Sequence, residues 1–208
     1  MYYDYSQEPN RDIMCIDVTS FYASVECRMR GLNPMTTMLV VMSKAENSGG
    51  LCLAASPMAK EKLGITNVTR KYDLPSHPDL IIVPPRMSLY LKFNQKLNDI
   101  LRNYTSKDFH YIYSIDESFI DVSGSHLLFG TTHDIAKKIR QDIWNTLGLI
   151  VKIGIGPNPL LAKVCLDIAA KHNPNFIEQW TYECIPETLW KIDCLTDMWV
   201  LGLSYLKN

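Results

Sequence analysis

The chain has 208 residues, of which 47% are hydrophobic and 21% are charged, a composition typical of folded globular domains and not of disordered segments. Its formal net charge of -1 gives no global positive field, so a nucleic acid must bind a local basic patch or a part of the protein outside these residues. The six cysteines are scattered without a C-x-x-C pair, which argues against a zinc site or a disulfide framework and favours reduced thiols in the cytoplasm. A polar N-terminus and short apolar runs argue against a secretion signal and a membrane span.

The first half of the chain begins with a predicted strand and helix. A short apolar strand over residues 13–16 leads into Asp17, and Thr19 or Ser20 then offers a side-chain oxygen to cap a helix over residues 21–30. The elements predicted next are a strand at 38–42, its hairpin partner at 51–55, a helix at 57–63 and a strand at 80–83.

The second half alternates helices with strands. The predicted elements are a helix at 87–104, strands at 111–115 and 119–122, a helix over 135–143, a strand at 149–155 and a helix from 160 to 168. This order predicts an α+β fold in which helices cover a sheet, with residues 38–78 as an insertion.

Three acidic residues stand at predicted strand ends. Asp17 ends the first strand, and Asp116 and Glu117 lie in the turn between two later strands. If these strands are neighbours in one sheet, the three carboxylates converge and repel each other unless cations lie between them. Oxygen ligands without histidine suit Mg²⁺ or Mn²⁺, and two such ions about 4 Å apart would stabilise both oxygens of a phosphoryl displacement. The simpler alternative is a helix cap at Asp17 and an exposed, solvated turn at Asp116 and Glu117.

Three segments carry a resemblance to a known family. They are IDVTSFYASVE at 16–26, SIDESFIDV at 114–122 and GIGPNPLLAK at 154–163. In this order they resemble the three motifs of the Y-family DNA polymerases, the UmuC/DinB/ImpB group, and within it the UvrX-like lesion-bypass proteins of Gram-positive bacteria and their phages or plasmids. The resemblance covers nearly the whole chain.

The resemblance implies a two-metal nucleotidyl transferase. Asp17, Asp116 and Glu117 would hold two Mg²⁺ ions, for which Mn²⁺ can substitute, and Val18 would add a main-chain carbonyl. The implied reaction joins a dNTP to a primer 3′-hydroxyl and releases pyrophosphate, so the implied partners are dNTP and primer–template DNA. Positioning and charge neutralisation dominate such chemistry.

The resemblance also assigns residues to the nucleotide. The backbone N–H groups of Ser20 and Phe21 would bind a phosphate at a strand-to-helix turn. Tyr22 matches the family's steric gate, which excludes a 2′-hydroxyl. The alternative for both aromatic residues is core packing.

The lysines depart from the commonest family pattern. The family often has a Tyr-x-x-Arg pair on its fingers helix, whereas this chain has no such tyrosine and carries Lys60, with Lys62 as a second candidate, for the triphosphate. Lys171 lies one residue further along than the DinB-like spacing, and its eight-residue offset from Lys163 keeps the two within about 80° on a helix. We assign Lys171 to the triphosphate and Lys163 to a DNA or primer phosphate; solvated surface lysines are the alternative.

The implied fold is a ferredoxin-like palm sheet with covering helices, a small α/β fingers insertion and a truncated helical thumb. The expected boundaries are palm 1–20 and 87–178, fingers 21–86 and partial thumb 179–208. Residues 197–203 resemble the start of the thumb's helix-hairpin-helix. The little finger and the clamp-binding peptide usual in the family are expected to be missing, so contact with a sliding clamp would need an absent C-terminal part.

The sequence therefore predicts error-prone translesion DNA synthesis, with this chain as the palm and fingers. Two alternatives remain. A nucleotide cyclase with a related palm also uses paired carboxylates and Mg²⁺, although it needs no template. A catalytically silent fragment would act by protein contacts alone.

Overall fold

The structure is a computed structural model that describes residues 3–46 and 49–194. The chain forms two compact units. The first comprises Met1–Asp17, Asn98–Ile143 and Val151–Asn208, and the second comprises Val18–Leu97 and Trp144–Ile150. The predicted fingers, residues 21–86, thus lie inside the second unit, which also takes in residues 87–97 and 144–150. The expected thumb motif at 197–203 lies outside the described residues.

Strands and helices alternate along the chain. The strands are β1 (Ile13–Val18), β2 (Leu39–Met42), β3 (Cys52–Ala55), β4 (Ile81–Val83), β5 (His110–Ile112), β6 (Glu117–Asp121), β7 (Val151–Gly156) and β8 (Ile177–Gln179). The helices are α1 (Phe21–Arg28), α2 (Pro57–Leu63), α3 (Met87–Leu101), α4 (His126–Phe129), α5 (Thr132–Leu147) and α6 (Pro159–Cys165), which continues into a π-helical turn at Leu166–Ala170.

A five-stranded sheet in the order β5-β6-β1-β7-β8 forms the centre of the first unit. β1 and β6 are antiparallel, and Asp17 pairs with Glu117 at the end of their ladder. The predicted strand neighbourhood is therefore confirmed. Side chains alternate along β1, so Ile13, Cys15 and Asp17 share one face. On this face, Ile13 and Cys15 form a core cluster with Ala162 and other residues of α6 and the π-helical turn.

The second unit contains a three-stranded sheet in the order β3-β2-β4, with helices on both faces. On one face, Ala23 and Cys27 of α1 pack against the β2 residues Leu39 and Val41. On the other, Ala59 of α2 packs in the cluster that contains Val40 and Met42. All four residues of β2 are fully buried, as expected for a central strand with two covered faces.

α2 is capped at both ends, whereas the cap predicted for α1 does not form. Ser56 accepts a hydrogen bond from the Ala59 N–H, Pro57 opens α2, and Gly64 ends it with a φ of 63°. At α1 the predicted side-chain cap is wrong: Ser20 is the N-cap residue, but its backbone is left-handed at φ 48° and its side chain makes no capping bond. The hydroxyl of Thr19 is buried without a hydrogen-bond partner in the described structure.

Other differences from the predicted elements are small. β6 begins at Glu117, two residues before its predicted start, because Glu117 and Ser118 pair with β1. The short elements α4 and β8 have no counterpart in the prediction. Cys15, Cys27, Cys52 and Cys165 are buried thiols. Within the described part of the chain, no helix combines the length and apolarity that crossing a bilayer requires.

Candidate active site

Two carboxylates meet where β1 and β6 end. Asp17 and Glu117 are register partners, so their side chains lie next to each other on one face of the sheet. Asp116 precedes Glu117 in the β5–β6 turn, where its Oδ1 accepts a hydrogen bond of 2.8 Å from Ser114 Oγ. The N–H groups of Tyr113 and Ser114 both donate to the Glu117 carbonyl and close this turn.

Two glycines bring α6 against the sheet beside this pair. A Cβ on Gly154 would lie 2.3 Å from the Leu166 nitrogen, and one on Gly156 would lie 2.5 Å from the Ala162 nitrogen. A side chain at either position would therefore push α6 away from β7. This approach explains the glycines of the third motif and sets the distance of Lys163 from the carboxylates.

Lys163 lies inside the acidic cluster. Its Nζ is 2.6 Å from Glu117 Oε1 and 3.1 Å from an oxygen of Asp167, and the residue is only 6% exposed. A lysine that contacts a DNA phosphate needs an accessible ammonium group. The DNA contact of Lys163 stays a prediction; in the structure its buried side chain pairs with Glu117.

Lys171 reaches the same cluster from about two turns further along the chain than Lys163. Its Nζ is 3.6 Å from Asp17 Oδ2 and 2.7 Å from Asp167 Oδ1. The Lys171 N–H donates to the Leu166 carbonyl, five residues earlier, which is the bond of a π-helical turn. Such a turn takes up one residue more than an α-helical turn. It thus accommodates the extra residue that the sequence shows before Lys171, and Lys171 still pairs with Asp17.

The cluster carries more negative than positive charge. Asp17, Asp116, Glu117 and Asp167 contribute four carboxylates, and the two lysines contribute two ammonium groups. Burial raises the pKa of Asp17 to about 6; nearby Lys171 opposes this rise, and Asp116 and Glu117 add to it. Burial alone would lower the pKa of both lysines, but the surrounding carboxylates outweigh it and raise their pKa.

The donor set of this cluster fits hard divalent cations, because it consists of carboxylate oxygens with excess negative charge. Among residues 3–46 and 49–194, however, no three His, Cys, Asp or Glu side chains stand ready as a metal-binding group. Glu117 Oε1 instead accepts from both Lys163 and Cys15. The two ammonium groups supply part of the positive charge that the four carboxylates require.

Two residues of the cluster escaped the sequence analysis. Asp167 bridges Lys163 and Lys171, and Cys15 Sγ lies 2.9 Å from Glu117 Oε1. A signal existed for each. Cys15 is two residues before Asp17 and so shares its face, and Asp167 is four residues from each lysine.

The second unit holds the other residues predicted to bind the sugar and phosphates, which are Ser20, Phe21, Tyr22 and Lys60. Phe21 is buried, in line with core packing, whereas Tyr22 is half-buried and stacks on Tyr90 with ring centroids 4.4 Å apart. The first hydrogen bond of α1 runs from Ser24 N–H to Ser20 O, so the N–H groups of Ser20 and Phe21 precede the helical ladder.

The two candidate lysines of α2 are both exposed in its last turn. Lys60 borders a shallow surface depression with Gly64 and Ile65, and Lys62 lies 3.8 Å from its neighbour Glu61. This geometry does not distinguish Lys60 from Lys62 as the lysine that would contact the triphosphate.

Comparison with known proteins identifies the family. Residues 16–167 match the impB/mucB/samB family. The chain is 37% identical over 205 residues to UvrX of Bacillus subtilis (strain 168), which is named as a UV-damage repair protein, covering 99% of this chain and 48% of UvrX. It is 39% identical over 183 residues to DNA polymerase IV 2 of the same strain, covering 86% of this chain and 43% of that relative. The chain thus spans about half the length of these curated relatives.

Solved structures share the fold. The insertion ternary complex of Dbh DNA polymerase superposes with a TM-score of 0.78 at 25% identity, over 93% of this chain and 55% of that one. The α+β fold class with palm and fingers is confirmed. The chain belongs to the impB/mucB/samB family, the UmuC/DinB group of Y-family DNA polymerases. Members of this family are nucleotidyltransferases that generally use divalent metal.

Proposed function

We propose that this chain is the palm and fingers of a translesion DNA polymerase, which transfers a nucleotide from a dNTP to a primer 3′-hydroxyl opposite a damaged template. One observation carries the proposal. In a chain of this family, Asp17 and Glu117 are register partners beside Asp116, and their cluster holds more carboxylates than ammonium groups. Names of DNA polymerases and of a UV-damage repair protein among its relatives support it.

In this proposal Asp17, Asp116 and Glu117, with the main-chain carbonyl of Val18, hold two Mg²⁺ ions. When bound, these ions supply charge neutralisation for the triphosphate and lower the pKa of the primer hydroxyl. Lys163 and Asp167 restrain the Glu117 carboxylate through their ion pairs. Lys171 carries a positive charge at the edge of the cluster. Its ammonium group can exchange the ion pair with Asp17 for an ion pair with a triphosphate oxygen.

The remaining assignments concern the incoming nucleotide. The N–H groups of Ser20 and Phe21 would donate to its phosphates, and exposed Lys60 would add a cation without the bidentate geometry of arginine. Tyr22 would exclude the 2′-hydroxyl of a ribonucleotide. The proposed partners are dNTP and primer–template DNA in the cytoplasm, with a sliding clamp bound through a C-terminal part.

Primer extension tests the activity. We would compare this chain with a fusion to the half of UvrX that it does not cover, here called the extended chain, on undamaged and abasic templates. The expected result is template-dependent extension across both by the extended chain, and little by the short one because its net charge of -1 gives weak DNA binding. A cyclic nucleotide formed from free nucleotide without primer or template would favour a cyclase, and no extended primer from the extended chain would overturn the proposal.

Metal binding tests the site without DNA. Titration of this chain with Mn²⁺, followed by calorimetry with and without dATP, should show metal uptake that the nucleotide strengthens. Asp99→Asn is the matched control, because Asp99 is an exposed carboxylate that pairs with Arg102 outside the cluster. A protein that acts only by protein contacts shows no nucleotide-linked uptake, and that outcome would reject the two-metal assignment.

A further inference from the structure

A second buried carboxylate, outside the acidic cluster, lies in the second unit. Glu26 of α1 is fully buried, and a buried charge is costly unless it is paired and hydrogen-bonded. Arg86 binds both of its oxygens, with Nε 2.9 Å from Oε1 and Nη2 2.6 Å from Oε2. Arg30 also donates to Oε2, and Tyr90 OH donates to Oε1 at 2.8 Å. Three side chains thus donate to this one carboxylate, and Arg30 also donates to the Glu26 main-chain carbonyl at 2.9 Å.

Tyr90 connects this network to the aromatic cluster. Its ring is fully buried and stacks on Tyr22 at 4.4 Å with an interplanar angle of 14°, and Phe21 meets it edge-on with centroids 6.3 Å apart. The backbone reinforces the connection, because the Tyr90 N–H donates to the Arg86 carbonyl at the start of α3. Arg86 and Tyr90 therefore approach Glu26 from one helical turn.

The consequence concerns the plane of the Tyr22 ring. One face of this ring rests on Tyr90, and Tyr90 cannot slide or tilt without breaking its bond to Glu26. A ring that excludes one hydroxyl group must be held within about half an ångström of its place, and such accuracy comes from supporting contacts. We propose that Glu26 and Arg86 are positioning residues for sugar selection, which act on Tyr22 through Tyr90. This inference rests on the proposed role of Tyr22 as the gate.

Sugar selection in the extended chain is the test, measured as the ratio of kcat/KM for dATP to that for ATP. Tyr90→Phe keeps the ring and removes only the hydrogen bond to Glu26. We expect it to lower the ratio on the order of tenfold, mainly through faster ATP use, with the dATP rate changed less. Arg86→Lys keeps the charge but loses the bidentate geometry, and should give a smaller decrease in the same direction.

A matched control separates positioning from loss of stability. Tyr104 is also buried, and its OH donates to Asp142 at 2.6 Å in the first unit. Tyr104→Phe removes a comparable hydrogen bond and should leave the ratio within twofold of the parent. Because Glu26→Gln can unfold the second unit, it is compared only after its melting curve shows a folded chain.

A double mutant distinguishes the routes of failure. Tyr22→Ala alone should strongly lower the ratio of kcat/KM for dATP to that for ATP. Adding Tyr90→Phe to this variant should have no further effect, because Tyr90 acts on sugar selection through Tyr22. If Tyr22→Ala changes the ratio and Tyr90→Phe does not, the positioning role is wrong while the gate stands. If Tyr22→Ala leaves the ratio unchanged, both the gate role of Tyr22 and the positioning role of Glu26 and Arg86 are wrong.

A spectroscopic measurement needs no polymerase activity. With 3-fluorotyrosine placed at position 22 of this chain, Tyr90→Phe should shift and broaden the fluorine resonance, and Tyr104→Phe should not. An identical resonance in Tyr90→Phe and the parent would show that the hydrogen bond does not restrain the ring.

Discussion

The two units bury carboxylates in opposite ways. Glu26 has two arginines and a tyrosine hydroxyl as donors, and these lower its pKa although burial alone would raise it. Asp17 has Lys171 and, more weakly, Lys163 against two neighbouring carboxylates, and burial raises its pKa to about 6. The first arrangement has surplus positive charge and stabilises a fold, whereas the second has surplus negative charge and suits an added cation. The cations also differ. The arginines at Glu26 hold the carboxylate in a fixed hydrogen-bond geometry, whereas the lysine at Asp17 can exchange its partner.

The largest expected effect is the loss of primer extension when a carboxylate of the acidic cluster is replaced. Asp17→Asn or Glu117→Gln in the extended chain should reduce primer extension at least about a thousandfold, because each removes charge and a ligand from the proposed two-metal site. The circular dichroism spectrum should stay that of the parent. Asp99→Asn is the control, an exposed carboxylate whose loss should leave extension unchanged. Retained extension in either site variant contradicts the assignment.

The second prediction contrasts stability in the two units. Glu26→Gln should lower the free energy of unfolding by about 3 kcal/mol, because it leaves two arginines around an uncharged, buried amide. Under the same metal-free conditions, Asp17→Asn should leave the free energy of unfolding unchanged or raise it by up to about 1 kcal/mol, because it relieves repulsion. Urea denaturation measures both, with exposed Glu61→Gln as the reference. Equal losses for Glu26 and Asp17 would remove the distinction between the two clusters.

The two clusters show which contacts can be predicted from the sequence and which cannot. Hydrophobic runs and a turn place Asp17 at a strand end and Glu117 beside another strand, so their meeting is predictable, although the pairing of Glu117 within β6 is not. The hydrogen bonds of Glu26 to Arg86 and Tyr90 are not predictable either, because these residues lie 60 and 64 positions away and nothing local links them to Glu26. The capping prediction at Ser20 fails for a related reason: its left-handed backbone turns the side chain away from the helix N-terminus.

The lysines show the same limit on a smaller scale. A helical wheel places Lys163 and Lys171 on related faces but says nothing of depth, and Lys163 is buried because Gly154 and Gly156 let α6 approach β7 closely. The π-helical turn that aligns Lys171 depends on the packing of Leu166 and Ala170 against β1 residues. Both features need tertiary contacts that periodicity does not contain.

The third prediction sharpens the difference between those lysines. Lys163→Met should destabilise the chain by about 2 kcal/mol, since Glu117 loses a buried ion pair, whereas Lys171→Met should cost less than half as much because Lys171 is about one-third exposed. Nucleotide affinity should show the reverse order if Lys171 binds the triphosphate. Thermal unfolding and Mn²⁺-dependent dATP binding measure the two effects on the same samples.

The smallest expected effect concerns the ion pair of His126 with Asp12, which belongs to neither cluster. His126 Nε2 lies 2.9 Å from Asp12 Oδ2, and hydrogen bonds to Asp12 and to the Gly130 carbonyl raise the pKa of His126 above its usual 6.5. A raised histidine pKa means that the folded state binds the proton more tightly than the unfolded state does. The contribution is therefore complete below pH 6.5 and disappears as the pH rises through the folded pKa.

The side chains of this pair are about one-third exposed, so solvent screening should keep the stabilisation below about 1 kcal/mol. The expected result is that His126→Gln lowers the melting temperature at pH 5.5 and has little effect at pH 8.5. Asp12 also accepts from Thr132 Oγ1, so Asp12→Asn would disturb more than the ion pair and is the weaker variant. A difference that is independent of pH would mean that the imidazole stabilises the chain by packing and neutral hydrogen bonds, because His126 loses its charge over this range.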